Sequence, residues 1–244
     1  MKVWWVLVLS SILKANSRKL IFENSPRVFF ISFMYVLFVT VVAWLCVRLP
    51  GNINAQDIYD RLASGEMLGL GVIYTNFRPV GVFLAIILLM IQPILDAGFV
   101  SYCMKISRKQ STEFKDLFNG FIFFLKVLSI FLLTSLYIFL WSLLLFIPGI
   151  VASYRYRQAY YILFDDPEKG AIQCINESKL LMNGKKLELF ILDMTFLGWY
   201  VIDYIVFLLM PLPFTFPILS IWISPYVGIT RAGFYESLVE DVAV

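Results

Sequence analysis

The sequence predicts an all-α membrane protein: six transmembrane helices with amphipathic surface helices, and N- and C-termini both cytoplasmic. Three observations lead there. Only 15% of the 244 residues are charged and 60% are hydrophobic, where a soluble domain carries about 25% charged residues. The apolar residues gather into runs near the roughly 20 residues a helix needs to cross a bilayer. Those runs lack strict alternation, and only helices or a closed barrel satisfy a backbone in lipid, so the runs read as helices.

A single integral domain over 1–244 is expected. It comprises a surface helix over 1–24, a six-helix bundle over 28–235 and a short cytoplasmic tail over 236–244. In the first segment Leu9, Ile12, Leu13, Asn16 and Leu20 share one helical face, while Ser10, Lys14, Ser17 and Arg18 fall mainly on another. That pattern predicts an amphipathic helix lying on the membrane surface. Ala15-Asn16-Ser17 has the small-residue character of a signal-peptidase site, but the two-faced pattern favours a retained helix.

The expected spans are Val28–Val47, Val80–Cys103, Phe121–Ile147, Ile150–Phe164, Leu189–Met210 and Phe216–Tyr235. The fourth is short: at ~1.5 Å per residue it reaches about 22 Å, against a core of about 30 Å. The third is overlong and should tilt. Lysine and arginine set the orientation. Thirteen fall in segments that a six-span chain with its N-terminus inside places in the cytoplasm, and three (Arg48, Arg61, Arg78) fall outside. Removing the fourth span would put Lys169 to Lys186 outside, so the bias supports it as a crossing. Between the first two spans, Ala55 to Met67 reads as an interfacial helix and Gly69-Leu70-Gly71 as a flexible return. After the fourth span, residues from Ala171 to Leu181 read as a helix along the inner surface, stopped by Asn183-Gly184 as a C-cap would.

The chain is organised around Trp141 to Pro167. A long apolar helix meets Pro148-Gly149, then a short helix carries Arg155 and Arg157 among Tyr154, Tyr156, Tyr160 and Tyr161, and the stretch leaves through Asp165-Asp166. Ionisable groups within spans are rare and are functional candidates with partners to be named. Counting ~1.5 Å per residue sorts them into two layers. Asp96, Lys126, Asp193 and Arg231 form an inner layer of balanced sign, read as structural pairs. Arg155, Arg157 and Asp203 form an outer layer with a surplus positive charge. A surplus guanidinium lined by Tyr154 and Tyr160 would suit a phosphate or carboxylate headgroup.

Other chemistries find little support. There is no histidine, and Cys46, Cys103 and Cys174 lie far apart without C-x-x-C spacing, so no metal or cofactor site is expected. No catalytic constellation stands out. Asp96 and Asp193 could in principle serve as paired carboxylates at the inner layer.

From Asp116 to Leu238 the sequence resembles the multi-pass bacterial membrane proteins of the domain-of-unknown-function family 975. The marks are Asp116-Leu117-Phe118-Asn119-Gly120-Phe121, Trp141-Ser142-Leu143-Leu144, Ile147-Pro148-Gly149-Ile150, Tyr161-Ile162-Leu163, and Ser178 with Met182-Asn183-Gly184. Phe196-Leu197-Gly198-Trp199, Pro225-Tyr226 and Ala232-Gly233-Phe234-Tyr235 complete the set. The first hundred residues match loosely, and Tyr154-Arg155-Tyr156-Arg157 is more basic than the family pattern. The resemblance implies a multi-pass protein of the bacterial cytoplasmic membrane and carries over no catalytic residue.

The expectation is a non-enzymatic accessory or transport-related component that binds an anionic amphiphile or a membrane partner. Its partners would be membrane lipids, another membrane protein or a second copy, with no nucleic acid. The alternatives are an intramembrane enzyme on a lipid-linked or peptide substrate, or an immunity protein against an antimicrobial peptide.

Overall fold

The computed structural model describes residues 2–49, 64, 78–209 and 217–243. Among them there is no strand. The helices are α1 (Lys2–Glu23), α2 (Arg27–Arg48), α3 (Pro79–Ser107), α4 (Asn119–Ile122), α5 (Phe124–Leu144), α6 (Phe146–Arg155), α7 (Ala159–Asp165), α8 (Ala171–Leu181), α9 (Lys186–Met194), α10 (Leu197–Leu209) and α11 (Ser220–Ala243), with a 3-10 turn at Phe114–Phe118 before α4. The expected interfacial helix Ala55–Met67 and its glycine return lie outside the described residues, Ser64 apart.

The chain divides into two compact units, residues 1–36 with 93–244, and residues 37–92. In the smaller unit the second half of α2 meets the first half of α3. Val42 and Ala85 are buried, and the Cys46 thiol lies 3.6 Å from the Ala85 carbonyl.

Four helical stretches are long and apolar enough to cross a membrane: Arg27–Cys46, Pro79–Ser107, Phe124–Leu144 and Lys186–Val206, with mean hydropathies of 2.5, 2.3, 2.2 and 1.6. They correspond to the expected first, second, third and fifth spans. The last of them is α9 joined to α10 through a turn at Thr195-Phe196.

The expected fourth span, Ile150–Phe164, is not one helix. It is divided between α6 and α7, of 10 and 7 residues, with a break at Tyr156–Gln158. No proline or glycine causes the break. Ser178 of α8 does: its hydroxyl donates to the Arg155 carbonyl at 2.9 Å and accepts the Gln158 N–H at 3.2 Å. A side chain inserted into the i→i−4 ladder is a recognised cause of a kink. Upstream, the turn between α5 and α6 falls at Leu145, which is extended, and Pro148 sits in the first turn of α6. There its missing N–H has no intrahelical partner to lose.

The expected sixth span also changes at its end. The final helix α11 runs through Tyr235 and continues to Ala243, so residues 236–243 are helical where a tail is expected. This helix carries Arg231 and Glu236 and buries Ile223, Val227, Ile229, Phe234 and Leu238.

The first helix turns an unexpected side to the protein. Val6, Ser10, Ser17, Leu20 and Ile21 are buried, whereas Trp4, Trp5, Ile12 and Phe22 are exposed. The serines allow a close approach to α11, where Thr230 Oγ lies 3.0 Å from Ser17 Oγ. Lys14 reaches the Thr195 carbonyl at 3.3 Å and stands over the Phe196 ring at 4.4 Å.

The tightest crossing in the larger unit brings α3 onto the turn before α5. A Cβ on Gly98 would stand 1.8 Å from the Leu117 carbonyl oxygen, and one on Gly120 would stand 2.0 Å from that of Ile94. Two backbones touch here because both residues lack side chains. Leu117, Tyr102, Ile106, Phe196 and Phe234 belong to the buried core of this unit.

Candidate functional site

The larger unit encloses a cavity of about 460 Å³, within the roughly 300–1,000 Å³ typical of ligand sites. The α6–α7 break sits on its wall. Because the chain leaves helical geometry after Arg155, Tyr156, Arg157, Tyr160 and Tyr161 all reach the same cavity. Arg231 of α11 joins them, and Tyr35 of α2 with Asp96 of α3 complete the charged lining.

The two charged parts of this wall have separate partners. On one, Arg231 Nε lies 2.9 Å from Asp193 Oδ1, and Arg157 Nη2 lies 4.0 Å from Asp193 Oδ2. The Tyr154 hydroxyl donates to the same Oδ2 at 3.2 Å. The Asp193 side chain is 9% exposed, so this carboxylate is largely withdrawn from solvent and its partners must compensate it. On the other, the Tyr35 hydroxyl donates to Asp96 at 2.8 Å, and the Tyr35 ring stacks on Phe99 at 4.1 Å. On the cavity wall, Gly228 lets α11 approach α3: a Cβ there would stand 2.5 Å from Cys103 Sγ.

The two layers counted along the helices do not survive. Arg157, expected in the outer layer, joins Asp193 and Arg231 of the inner one. Residue counting assumes unbroken, parallel helices, and the break in α6–α7 and the turn between α9 and α10 both violate that. Asp203, expected to pair with one of the arginines, instead accepts the Ser220 hydroxyl at 2.6 Å. Lys126 donates to the Pro167 carbonyl, and Asp96 binds Tyr35 in place of a cation. Within the expected inner layer the Asp193–Arg231 pair forms. Tyr154 and Tyr160 do stand by the arginine cluster or line its cavity. Arg155 points elsewhere and lines two surface hollows beside Lys186.

Tyr35, Tyr161 and Tyr200 are lining residues that a reading of charges passes over. Tyr35 had one signal: it is a hydroxyl in the middle of an apolar span, where an unpartnered polar group is costly.

A second polar cluster lies past the end of α3. Arg108 contacts Asp165 at 2.6 Å and Glu236 at 3.4 Å. The Tyr235 hydroxyl donates to Asp165 at 2.7 Å, and the Ser107 hydroxyl donates to Glu236 at 2.8 Å. Burial pushes the Glu236 carboxyl above its usual range, against the opposing pull of Ser107 and Arg108.

Comparison with known proteins gives one match. Residues 143–241 match the model of a family described as protein of unknown function (DUF975), so the resemblance read from the motifs holds over this stretch. Arg157, Asp193 and Arg231 fall within the match, and Tyr35 and Asp96 fall outside it. No curated protein and no solved structure matches the chain.

Proposed function

We propose, with the match of residues 143–241 to that family as premise, that the chain is a multi-pass protein of the bacterial cytoplasmic membrane. It acts as a non-enzymatic accessory or transport-related component and holds the headgroup of an anionic amphiphile in the cavity at Arg157 and Arg231. Six crossings with both ends cytoplasmic remain the arrangement favoured by the lysine and arginine bias. The discontinuous pair α6–α7 lines the cavity, and discontinuous helices line the sites of many transporters.

One observation carries the reading: two guanidiniums on the cavity wall share one carboxylate, Asp193. On that part of the wall one guanidinium charge exceeds what Asp193 offsets, while Asp96 lies on the other part, hydrogen-bonded to Tyr35. A guanidinium binds carboxylate or phosphate through paired N–H donors, and the surrounding tyrosines offer apolar faces with polar tips. Asp96 and Asp193 would have to cooperate in an acid–base enzyme. Each is engaged by its own partners, which supports binding over catalysis.

Native mass spectrometry of the protein extracted gently from its own membrane tests this. An anionic amphiphile retained at fixed stoichiometry and lost in Arg157→Gln is the expected result. Unchanged retention in a folded Arg157→Gln protein overturns it.

A further inference from the structure

Arg155 and Arg157 are two residues apart and serve different places. Arg157 lines the cavity. Arg155 stands with Lys186 on the shared wall of two hollows at the surface. One hollow, about 300 Å³, is apolar, with Trp141, Ile147, Pro148 and Val151 around it. The other, about 380 Å³, is polar, with Lys179, Asn176 and Asn183.

No carboxylate lines either hollow. Several other cations find acids: Lys105 meets Asp116, Lys169 meets Glu177 and Lys185 meets Asp241. Arg155 and Lys186 make no ion pair among the described residues. Lys179 takes the Asn176 side-chain oxygen at 2.9 Å and lies over the rings of Tyr137 and Tyr156 at 5.6 and 5.8 Å. The ring faces and the amide oxygen attract its charge, but it makes no ion pair among the described residues. A favourable helix end does not explain Lys186, because it opens α9, where the helix dipole repels a cation.

We propose that the paired hollows form a binding site for one anionic phospholipid. Arg155, Lys179 and Lys186 hold the headgroup phosphate, and the first part of an acyl chain lies against Trp141, Ile147 and Val151. The charge and the apolar surface are contiguous, as they are in an amphiphile. Lys186 also begins the apolar stretch Lys186–Val206, and the end of a crossing is the depth of lipid headgroups. Basic residues at that depth attract anionic lipid.

The test uses the full chain in detergent, titrated with phosphatidylglycerol or phosphatidylcholine and read by native mass spectrometry. Phosphatidylglycerol should be retained preferentially at this site. Arg155→Gln with Lys179→Gln and Lys186→Gln should weaken that retention about 100-fold, while Lys115→Gln, on an exposed lysine paired with Glu113, leaves it unchanged. Equal retention of both lipids, or no effect of the triple variant, overturns the proposal. So does a bound protein, released by the triple variant, in place of lipid. Should the triple variant not fold, quenching of tryptophan emission by phosphatidylglycerol with brominated chains decides. Trp141→Phe should remove part of the quenching, and an undiminished quenched fraction rules the site out. Because the triple variant leaves Arg157 and Arg231 of the cavity in place, failure here and failure of the cavity reading are separately visible.

Discussion

The Ser178 hydroxyl accepts the Gln158 N–H at 3.2 Å, in the gap between α6 and α7. The same oxygen donates to the Arg155 carbonyl at 2.9 Å, so one side chain satisfies both ends of an interrupted helix. Both Ser178 and Gln158 are buried. Ser178→Ala leaves the buried Gln158 N–H and the partly buried Arg155 carbonyl without this partner, at a cost of about 1–3 kcal/mol for the buried group. We expect a lower melting temperature in detergent and, because Arg157 follows the break, a weaker hold on any cavity ligand. A melting temperature unchanged from wild type would show that the break needs no such support.

The contact of Gly98 with the Leu117 carbonyl makes a paired prediction. Gly98→Ala places a methyl 1.8 Å from that oxygen, and overpacking of this kind costs roughly 1–3 kcal/mol or more. Gly198→Ala, near the start of α10, meets nothing within 4 Å and should gain up to about 1 kcal/mol from helix propensity. Thermal unfolding of the two variants side by side checks this. Equal shifts would contradict the close crossing of α3.

The Arg108 cluster predicts a pH dependence. Burial raises the Glu236 carboxyl, so the folded protein holds that proton more tightly than the unfolded chain. The stability this contributes is full below the ordinary glutamate value, about 4.3, and is lost as the pH rises through the raised folded value. Half-exposed surroundings limit the effect to about 1 kcal/mol or less. The difference in melting temperature between wild type and Glu236→Gln, followed upward from pH 4, should therefore move against the wild type. Parallel curves would remove Glu236 as the source.

Topology is best read at a side chain the fold leaves open. Cys103 and Cys174 are buried, and burial raises the Cys174 thiol, leaving less of the reactive thiolate. Both should react slowly in the native protein. Leu180 is 75% exposed on the helix assigned to the cytoplasmic side. Leu180→Cys should take an impermeant maleimide only after cells are opened. Labelling in intact cells would reverse the proposed orientation of α8.

Helices and their chemistry were legible wherever a signal was local. Apolar runs marked four long helical stretches, and Asn183-Gly184 marked the end of α8, where Gly184 takes the left-handed conformation at φ 77°. What stayed hidden was set by distant partners. Nothing around Tyr156–Gln158 announces a break, because its cause, Ser178, belongs to another helix. The pairing of Arg157 with Asp193 was hidden for the same reason, since depth was counted along helices assumed to be straight. In α1 the apolar face drew attention, yet small serines made the better packing surface against α11.

That α1–α11 pairing has a consequence for how the protein is made. Ser17 and Thr230 meet at 3.0 Å across 213 positions of sequence. Helix α1 therefore docks on a helix synthesised long after it, and long-range closure of this kind comes late in folding. Until α11 arrives, the serine stripe of α1 has no cover. A chain cut short within α11 would leave α1 undocked, so damage to a late-made helix would be felt at an early-made one, where quality-control proteases could recognise it.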